Sequence, residues 1–346
     1  MILPESLADR LLPWYRENRR SLPWRETSDP YRIWLSEIML QQTRVETVKA
    51  YYLRFLETLP DIRALAACPE DKLLKLWEGL GYYSRARNLQ KAAKVIAAEF
   101  GGRFPTEPKE ILSLPGIGAY TAGAICSICY DLPTPAVDGN VLRVCARLTA
   151  SRIDVSQPAA KREVSEALLP RFPAAGRGDF NQALMELGAT VCIPRGAPLC
   201  AACPLESVCL SRKKELWREI PVLRPKKDRP REPIAVFLLH CGDRYALRKR
   251  PSGGLLGGLW EYPSLPGVFT PQQALDQAAA WGCEPAVLAK VTEKEHVFTH
   301  REWQMTGFEI TCSRMSERFA WATIEELRGI YSLPSAFRQF IDTNDR

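Results

Sequence analysis

Up to about Leu210, apolar side chains recur at helical spacing. Between Arg85 and Phe100 they fall on one face (Ala86, Leu89, Ala93, Ile96, Phe100), with Arg87, Lys91 and Lys94 off it, and Gly101-Gly102 then stops the helix. Tyr31–Gln42 places Tyr31, Trp34, Leu35 and Ile38 on one stripe, and further helices are expected over Ala159–Leu169 and Phe180–Thr190. No alternating strand of any length appears, so this part reads as all-α. Beyond residue 231 the period changes. Ile234–His240 is a continuous apolar run, Cys241-Gly242-Asp243 a turn, and Tyr245–Arg250 a returning hairpin strand. His296–Thr299 and Trp303–Thr311 read as further strands, and Ile324–Leu327 and Ser335–Ile341 as short helices, which makes the second part α+β.

Between the two lies a composition shift: Pro221, Pro225 and Pro230 punctuate a stretch from Arg212 to Arg231 with nine basic and three acidic residues, +6 of the net +7. This is either a basic connector able to lie along a polyanion or a solvated linker. The expected organisation is therefore multi-domain: a helical domain over residues 1–211, an interdomain linker over 212–231 and an α+β domain over 232–346. The 346 residues suffice for two cores, and 46% hydrophobic with 25% charged residues excludes a disordered or collagen-like chain. Pro4, Glu5 and Asp9 interrupt any leader reading, and Pro115, Gly116 and Gly118 break the one uncharged run, Ile111–Tyr130, so it is no membrane span. A soluble, cytoplasmic monomer is expected.

Eleven scattered cysteines argue against a disulfide framework. Four of them, Cys192, Cys200, Cys203 and Cys209, fall within eighteen residues, and all three histidines lie in the last third. Acid–base chemistry in the first two thirds must come from carboxylates, Tyr or Lys, and a metal there must be held by thiolates. Zinc ribbons usually pair two C-x-x-C knuckles, and there is one here (Cys200, Cys203), which favours an iron–sulfur cluster while leaving Zn²⁺ or an unmetallated core open.

Three more segments carry candidate chemistry. Leu114-Pro115-Gly116-Ile117-Gly118-Ala119-Tyr120 follows a short helix (Pro108–Leu112) and opens another. Its glycines and unpaired N–H groups suit a phosphate backbone, as in a helix-hairpin-helix element, and suit a tight interhelical turn equally. Asp138, in Val137-Asp138-Gly139-Asn140-Val141, is either a functional carboxylate or a helix cap. Glu37, in Ser36–Thr43, sits at the margin of an apolar stripe. A carboxyl so placed is held protonated to higher pH, which suits a general acid, although an exposed helix glutamate fits the same spacing.

Together these segments resemble the endonuclease III superfamily of DNA glycosylases and, within it, the adenine DNA glycosylase (MutY) family. The likeness runs over LPWR (Leu22–Arg25), SEIMLQQT (Ser36–Thr43), GLGYYSRARNL (Gly79–Leu89), LPGIGAYTAGAI (Leu114–Ile125), VDGNV (Val137–Val141), FNQALMELGA (Phe180–Ala189) and the four cysteines. It implies excision of adenine mispaired with 8-oxoguanine or guanine in double-stranded DNA, after the base is flipped out of the stack. Glu37 would protonate the adenine and Asp138 would stabilise the oxocarbenium-like sugar, as paired carboxylates do in sugar hydrolases. Tyr120 and Asn140 would position the nucleophile side, and Trp24, Arg25 and Glu186 would form the base pocket. Gln42 and Tyr82 would wedge into the duplex, with Leu40, Thr43 and Leu80 near the lesion and Gly116 and Gly118 on the DNA backbone. Cys192, Cys200, Cys203 and Cys209 would hold a [4Fe–4S] cluster, although seven residues separate the first two where the family has six.

Strand-cutting members of the superfamily carry a Schiff-base lysine where this chain has Tyr120, and some MutY proteins carry one where it has Leu142. The resemblance therefore implies hydrolysis that stops at an abasic site. The last domain resembles a Nudix fold of the MutT type, entered at Leu255–Pro263. The acidic run that would hold Mg²⁺ is replaced by Ala274–Gly282, with one acid, so recognition without hydrolysis is expected. Phe298, Thr299 and His300 stand where the family has a Phe-Ser-His loop reading 8-oxoguanine; a hydrogen-bonded strand-end histidine is the other reading of His300. Two functions compete with this one: an endonuclease III-like glycosylase/lyase on oxidised pyrimidines, and a non-catalytic DNA-binding module.

Overall fold

The computed structural model describes residues 1–224 and 228–341. They group into two compact units, one made of Met1–Ala67 and the chain from Arg87 to the end of the first stretch, the other of Cys68–Ala86 and the C-terminal stretch.

The first unit is helical; its only β pairing among the described residues is an isolated bridge between Asp154 and Val222. Its central helix, Pro30–Leu40, starts where Pro30 supplies a preset φ and the Asp29 carboxylate accepts from the N–H groups of Tyr31 and Arg32. It is buried on nearly all sides, polar Ser36 and Glu37 included. The expected extension to Gln42 does not form: the helix ends at Leu40 and Gln42 adopts φ +58°. Helices Pro108–Ser113 and Ala119–Tyr130 flank a turn in which Gly116 takes φ +76°, and a side chain there would strike Asn88 at 2.6 Å. A core of Leu7, Leu11 and Tyr15 packs on Val141, Val144 and Cys145 and on Phe180, Leu184 and Leu187. These come from the helices Leu7–Asn18, Gly139–Leu148 and Arg177–Thr190.

The Gly139–Leu148 helix buries two arginines, and their donors explain the segment after it. Arg147 Nε donates to the carbonyl of Ile220 (2.8 Å) and Nη2 to that of Trp217 (3.2 Å). Ile220 is buried, and Arg224 pairs with Asp154 at 2.9 Å. The expected 212–231 linker is thus bound along the helical unit as far as residue 224, because a buried guanidinium needs acceptors; residues 225–227 of it lie outside the described residues.

The second unit is built on a sheet of β1 (Arg231–Cys241), β2 (Arg244–Lys249), β3 (Trp260–Glu261), β4 (Ser264–Pro266), β5 (Pro285–Val297), β6 (Glu302–Cys312) and β7 (Ala320–Thr323). Its path is β3-β2-β1-β6-β5, with β4 beside β1 and β7 beside β2. β1 runs parallel to β6 with Val236 opposite Gly307, and its alternation feeds two cores. Val236 and Leu238 join Trp303, Met305 and Phe337 on one face; Ala235, Phe237 and Leu239 join Phe308 and Ile310 on the other. That second face is covered by the Pro271–Ala280 helix, which presents Ala274 and Ala278 to the sheet and leaves Asp276 exposed.

The expected strand His296–Thr299 is corrected. β5 extends from Pro285 to Val297, and Val297 pairs with Glu302, so Phe298–Arg301 forms the tip of a hairpin closed by Phe298 N–H on the Arg301 carbonyl (2.8 Å). The terminal helix is also shorter than the pattern suggests, Ser335–Arg338. Among the described residues no helix is long and apolar enough to cross a membrane.

Candidate active site

The first unit contains a cavity of about 640 Å³ whose wall includes Trp24, Arg25, Glu37, Leu40, Gln42, Thr43, Gly118, Tyr120, Asp138, Asn140 and Glu186. Residues far apart in sequence meet here because helix Pro30–Leu40 packs on helix Ala119–Tyr130, while the latter and helix Gly139–Leu148 both pack on Arg177–Thr190.

Glu37 is 6% exposed, and Tyr120 Oη donates to its Oε2 at 2.6 Å. Burial pushes its carboxyl from 4.5 up to about 7; the Tyr120 hydrogen bond opposes this, the charge of Asp138 adds to it, and that of Arg25 opposes it. Tyr120 keeps its own proton, since burial first and Glu37 second hold its phenol well above its ordinary value. The result is a carboxylic acid that stays protonated close to neutrality and faces a cavity.

Asp138 caps the Gly139–Leu148 helix: Oδ1 accepts from Val141 N–H and Oδ2 from Asn140 Nδ2, both at 2.8 Å. The cap reading and the functional reading of this residue are therefore compatible. Burial raises its pKa, and the bonds from Val141 and Asn140 hold that rise back. Asn140 is fixed in turn by Arg143, whose Nη2 donates to Asn140 Oδ1 (2.8 Å) and to the Gly188 carbonyl (2.7 Å) while Nε donates to the Cys192 carbonyl (2.8 Å). Gly188 leaves room for this, since a Cβ there would lie 2.6 Å from that of Asn140.

At the other side of the cavity, Glu186 is fully buried between two arginines. Arg20 grips it through Nε to Oε1 (2.8 Å), Nη2 to Oε2 (2.7 Å) and its backbone N–H (3.0 Å); Arg25 Nη2 adds a bond to Oε2 at 2.8 Å. Burial pushes the Glu186 carboxyl up, but these bonds outweigh it and bring it down to about 2. Trp24 stands edge-on to Tyr52 with centroids 5.5 Å apart, closing the apolar wall. The sequence pattern did not single out Arg20, Arg143 or Lys161, the last an exposed lysine lining the same cavity. Nothing in a run such as Asn18-Arg19-Arg20 distinguishes an arginine that will meet a glutamate 166 positions on.

Gly116 lies outside this cavity wall, in its turn. The remaining expected DNA contacts belong to the second unit. Leu80 is buried there, whereas Tyr82 is 46% exposed, with φ +48°. Phe298 is turned inward, 4.5 Å from His296 and 4.9 Å from Trp303 by ring centroids, while Thr299 and His300 are exposed at the hairpin tip. Tyr82 Oη and Thr299 Oγ1 share a hydrogen bond of 2.5 Å.

Cys192, Cys200, Cys203 and Cys209 line one small cavity of about 30 Å³ with Arg147 and Trp217. Arg147 Nη1 lies 3.4 Å from Cys192 Sγ. Among the described residues no three His, Cys, Asp or Glu side chains form a ready-made site for an ion.

Comparison with known proteins identifies the family. Residues 35–170 match the HhH-GPD superfamily base excision DNA repair protein family, and residues 235–343 match the NUDIX domain. Adenine DNA glycosylases of Mus musculus and Homo sapiens are both 35% identical to 84% of the chain, which spans 67% and 64% of their lengths, about two thirds. A solved thermostable thymine-DNA glycosylase is similar over 61% of this chain and 96% of its own, with TM-score 0.56 and 29% identity. The chain belongs to the adenine DNA glycosylase family, with a helical glycosylase part followed by a Nudix-type part.

Proposed function

We propose that this chain removes adenine from double-stranded DNA opposite 8-oxoguanine or guanine, by hydrolysis that leaves an abasic site and an uncut strand. The observation that carries the reading is Glu37: a buried acid on the wall of a cavity roomy enough for a flipped base, held by Tyr120 and protonated to about 7. Its proton passes to a ring nitrogen of the flipped adenine, so that the base departs neutral. Asp138, fixed by Val141 and Asn140, stabilises the cationic sugar left behind. Water then attacks C1′ and returns a proton to Glu37. Arg20 and Arg25, both held by Glu186, offer donors to the adenine edge, with Trp24 beside them. Gln42, Tyr82 and the tip residues Thr299 and His300 are the contacts this reading assigns to the duplex and the opposing base.

The four cysteines fit a [4Fe–4S] cluster. They share one apolar cavity, no histidine is among them, and Arg147 stands beside Cys192 Sγ as a counter-charge for an anionic cluster. When bound, the cluster ties the 192–209 loop covalently together next to the helix that carries Asp138. Purified protein is expected to be brown and to contain about four irons per chain; a colourless protein carrying zinc would overturn this assignment.

The function is tested by single-turnover assays on duplexes with A opposite 8-oxoguanine, G or T, and on a thymine-glycol duplex, read with and without alkali. Cleavage at the adenine only after alkali, fastest opposite 8-oxoguanine, is the expected result. Strand scission at thymine glycol without alkali would move the chain to the lyase branch. Lys161 sharpens this test, because it is an amine on the cavity wall. Borohydride is expected to trap no protein on DNA; trapping that disappears in Lys161→Ala would show that this lysine supplies a Schiff base.

A further inference from the structure

We propose that Lys75 and Glu78 are positioning residues that hold Tyr82 against Thr299, and through that contact set the preference for 8-oxoguanine over guanine opposite the adenine. This rests on the function proposed above.

The segment 68–86 belongs by its contacts to the second unit; an exposed Asp71–Lys249 pair at 2.7 Å ties its start there, and a more buried pair, Lys75 and Glu78, anchors its middle. Lys75 Nζ donates to the carbonyls of Tyr331 (2.9 Å) and Leu327 (3.2 Å) and pairs with Glu78 Oε2 at 2.7 Å, which uses all three of its protons. Glu78 Oε1 accepts from Leu333 N–H at 3.0 Å. The two side chains are only 18% and 10% exposed, so these are not loose surface bonds. From this anchor a continuous set of contacts leads to Tyr82. Trp77 Nε1 donates to the Gly81 carbonyl at 3.1 Å. Arg85 Nη2 donates to the carbonyls of Leu80 (2.8 Å) and Gly81 (3.1 Å), with its guanidinium 5.3 Å from the Trp77 ring and 5.7 Å from that of Tyr82.

Tyr82 itself sits at φ +48°, a conformation costly for a side chain of its size, so the surrounding bonds must impose it. Its hydroxyl then meets Thr299 Oγ1 at 2.5 Å, and the Thr299 carbonyl accepts from Arg229 Nε at 3.2 Å. Threonine carries one hydroxyl proton, and in this proposal Thr299 donates it to the phenol, which leaves Oγ1 only its acceptor side for the base. Guanine and 8-oxoguanine differ at C8 and N7, where one offers an acceptor and the other a donor and a new carbonyl. A hydroxyl held in one orientation distinguishes them; a rotating one adapts to both.

The experiment compares wild type with Lys75→Met, Glu78→Gln and Lys75→Arg. In single turnover, Lys75→Met and Glu78→Gln are each expected to lose about tenfold in the ratio of adenine removal opposite 8-oxoguanine to that opposite guanine, the size of one oriented hydrogen bond. Removal opposite guanine should change little, and Lys75→Arg should restore the ratio. Combined with Tyr82→Phe, which deletes the hydroxyl, the latch variants should lose nothing more. Equal loss on both substrates, no change, or additivity with Tyr82→Phe would each overturn the proposal. Hydrogen exchange on the DNA-free protein supplies a readout independent of catalysis. Amides of 80–85 and 298–301 should exchange faster in Lys75→Met while those of 139–148 do not. If wild type removes no adenine, the function above fails alone, and unchanged exchange at 298–301 is what sinks the latch.

Discussion

A carboxyl that ionises at about 7 in the folded chain instead of 4.5 makes stability depend on pH. Its folded value is raised, so its contribution is intact below 4.5 and is lost as pH rises to about 7. Above that, the folded protein carries a buried carboxylate at a cost of roughly 3 kcal/mol. Glu37→Gln is thus expected to raise the urea midpoint at pH 8 and to leave it nearly unchanged at pH 4.5, while removal of adenine falls by about a thousandfold. A midpoint that differs from wild type by the same amount at both pH values would show that Glu37 is not a buried acid, and a variant that stays active would show that it is not the proton donor. In wild type the single-turnover rate should fall as pH rises beyond about 7, because the proton donor empties. At this scale the sequence showed residue types better than their settings. Its apolar stripe left Glu37 at the margin, open to a covered or an exposed reading; the phenol that bonds it lies 83 residues away and Arg20 meets its glutamate across 166. Local periodicity carries no information about such partners.

Helix Gly139–Leu148 joins the two candidate sites of the first unit. Asp138 caps its start, Arg143 crosses to Asn140 and the Cys192 carbonyl, and Arg147 reaches Cys192 Sγ. Its position relative to helix Arg177–Thr190 depends on the missing side chain of Gly188. Gly188→Ala should push Asn140 away, costing about 1–3 kcal/mol by overpacking and at least tenfold in rate through Asp138. A thermal melt and a single-turnover assay check this; a variant with normal rate would show that Asn140 does not position Asp138. The helix was absent from the sequence pattern because its two arginines break the apolar stripe, although both are buried. Helices with exposed polar faces, such as Ser84–Glu99, were legible within a residue or so. β5 was not legible, since much of it is exposed and lacks apolar alternation, and with it went the hairpin tip that holds Thr299.

For the molecule as a whole, composition marks a boundary near 211–231, but the contacts divide the chain differently. Residues 68–86 are helical-half sequence that packs with the C-terminal part, and the connector up to 224 packs with the helical part. Neither is visible in a one-dimensional pattern, because each depends on a few buried polar atoms: Lys75 and Glu78 in one case, Arg147 in the other. The division has a measurable consequence. A chain ending at Arg224 keeps the cavity, Glu37 and Asp138, yet deprives Lys75 of two carbonyls and Glu78 of the Leu333 N–H. Losing these three bonds, worth about 1 kcal/mol each once their atoms return to water, lowers Tm by roughly 6–12 °C in a unit of this size. Proteolysis of the shortened chain should cut first between 68 and 86, a stretch protected in the full chain. It should also remove adenine opposite guanine about as fast as the full chain does and show no preference for 8-oxoguanine. If the shortened chain resists protease at 68–86 and melts with the full one, the segment is held by the helical part instead. Tyr82 would then reach the duplex without the C-terminal part, and a surviving 8-oxoguanine preference would be the kinetic sign of it.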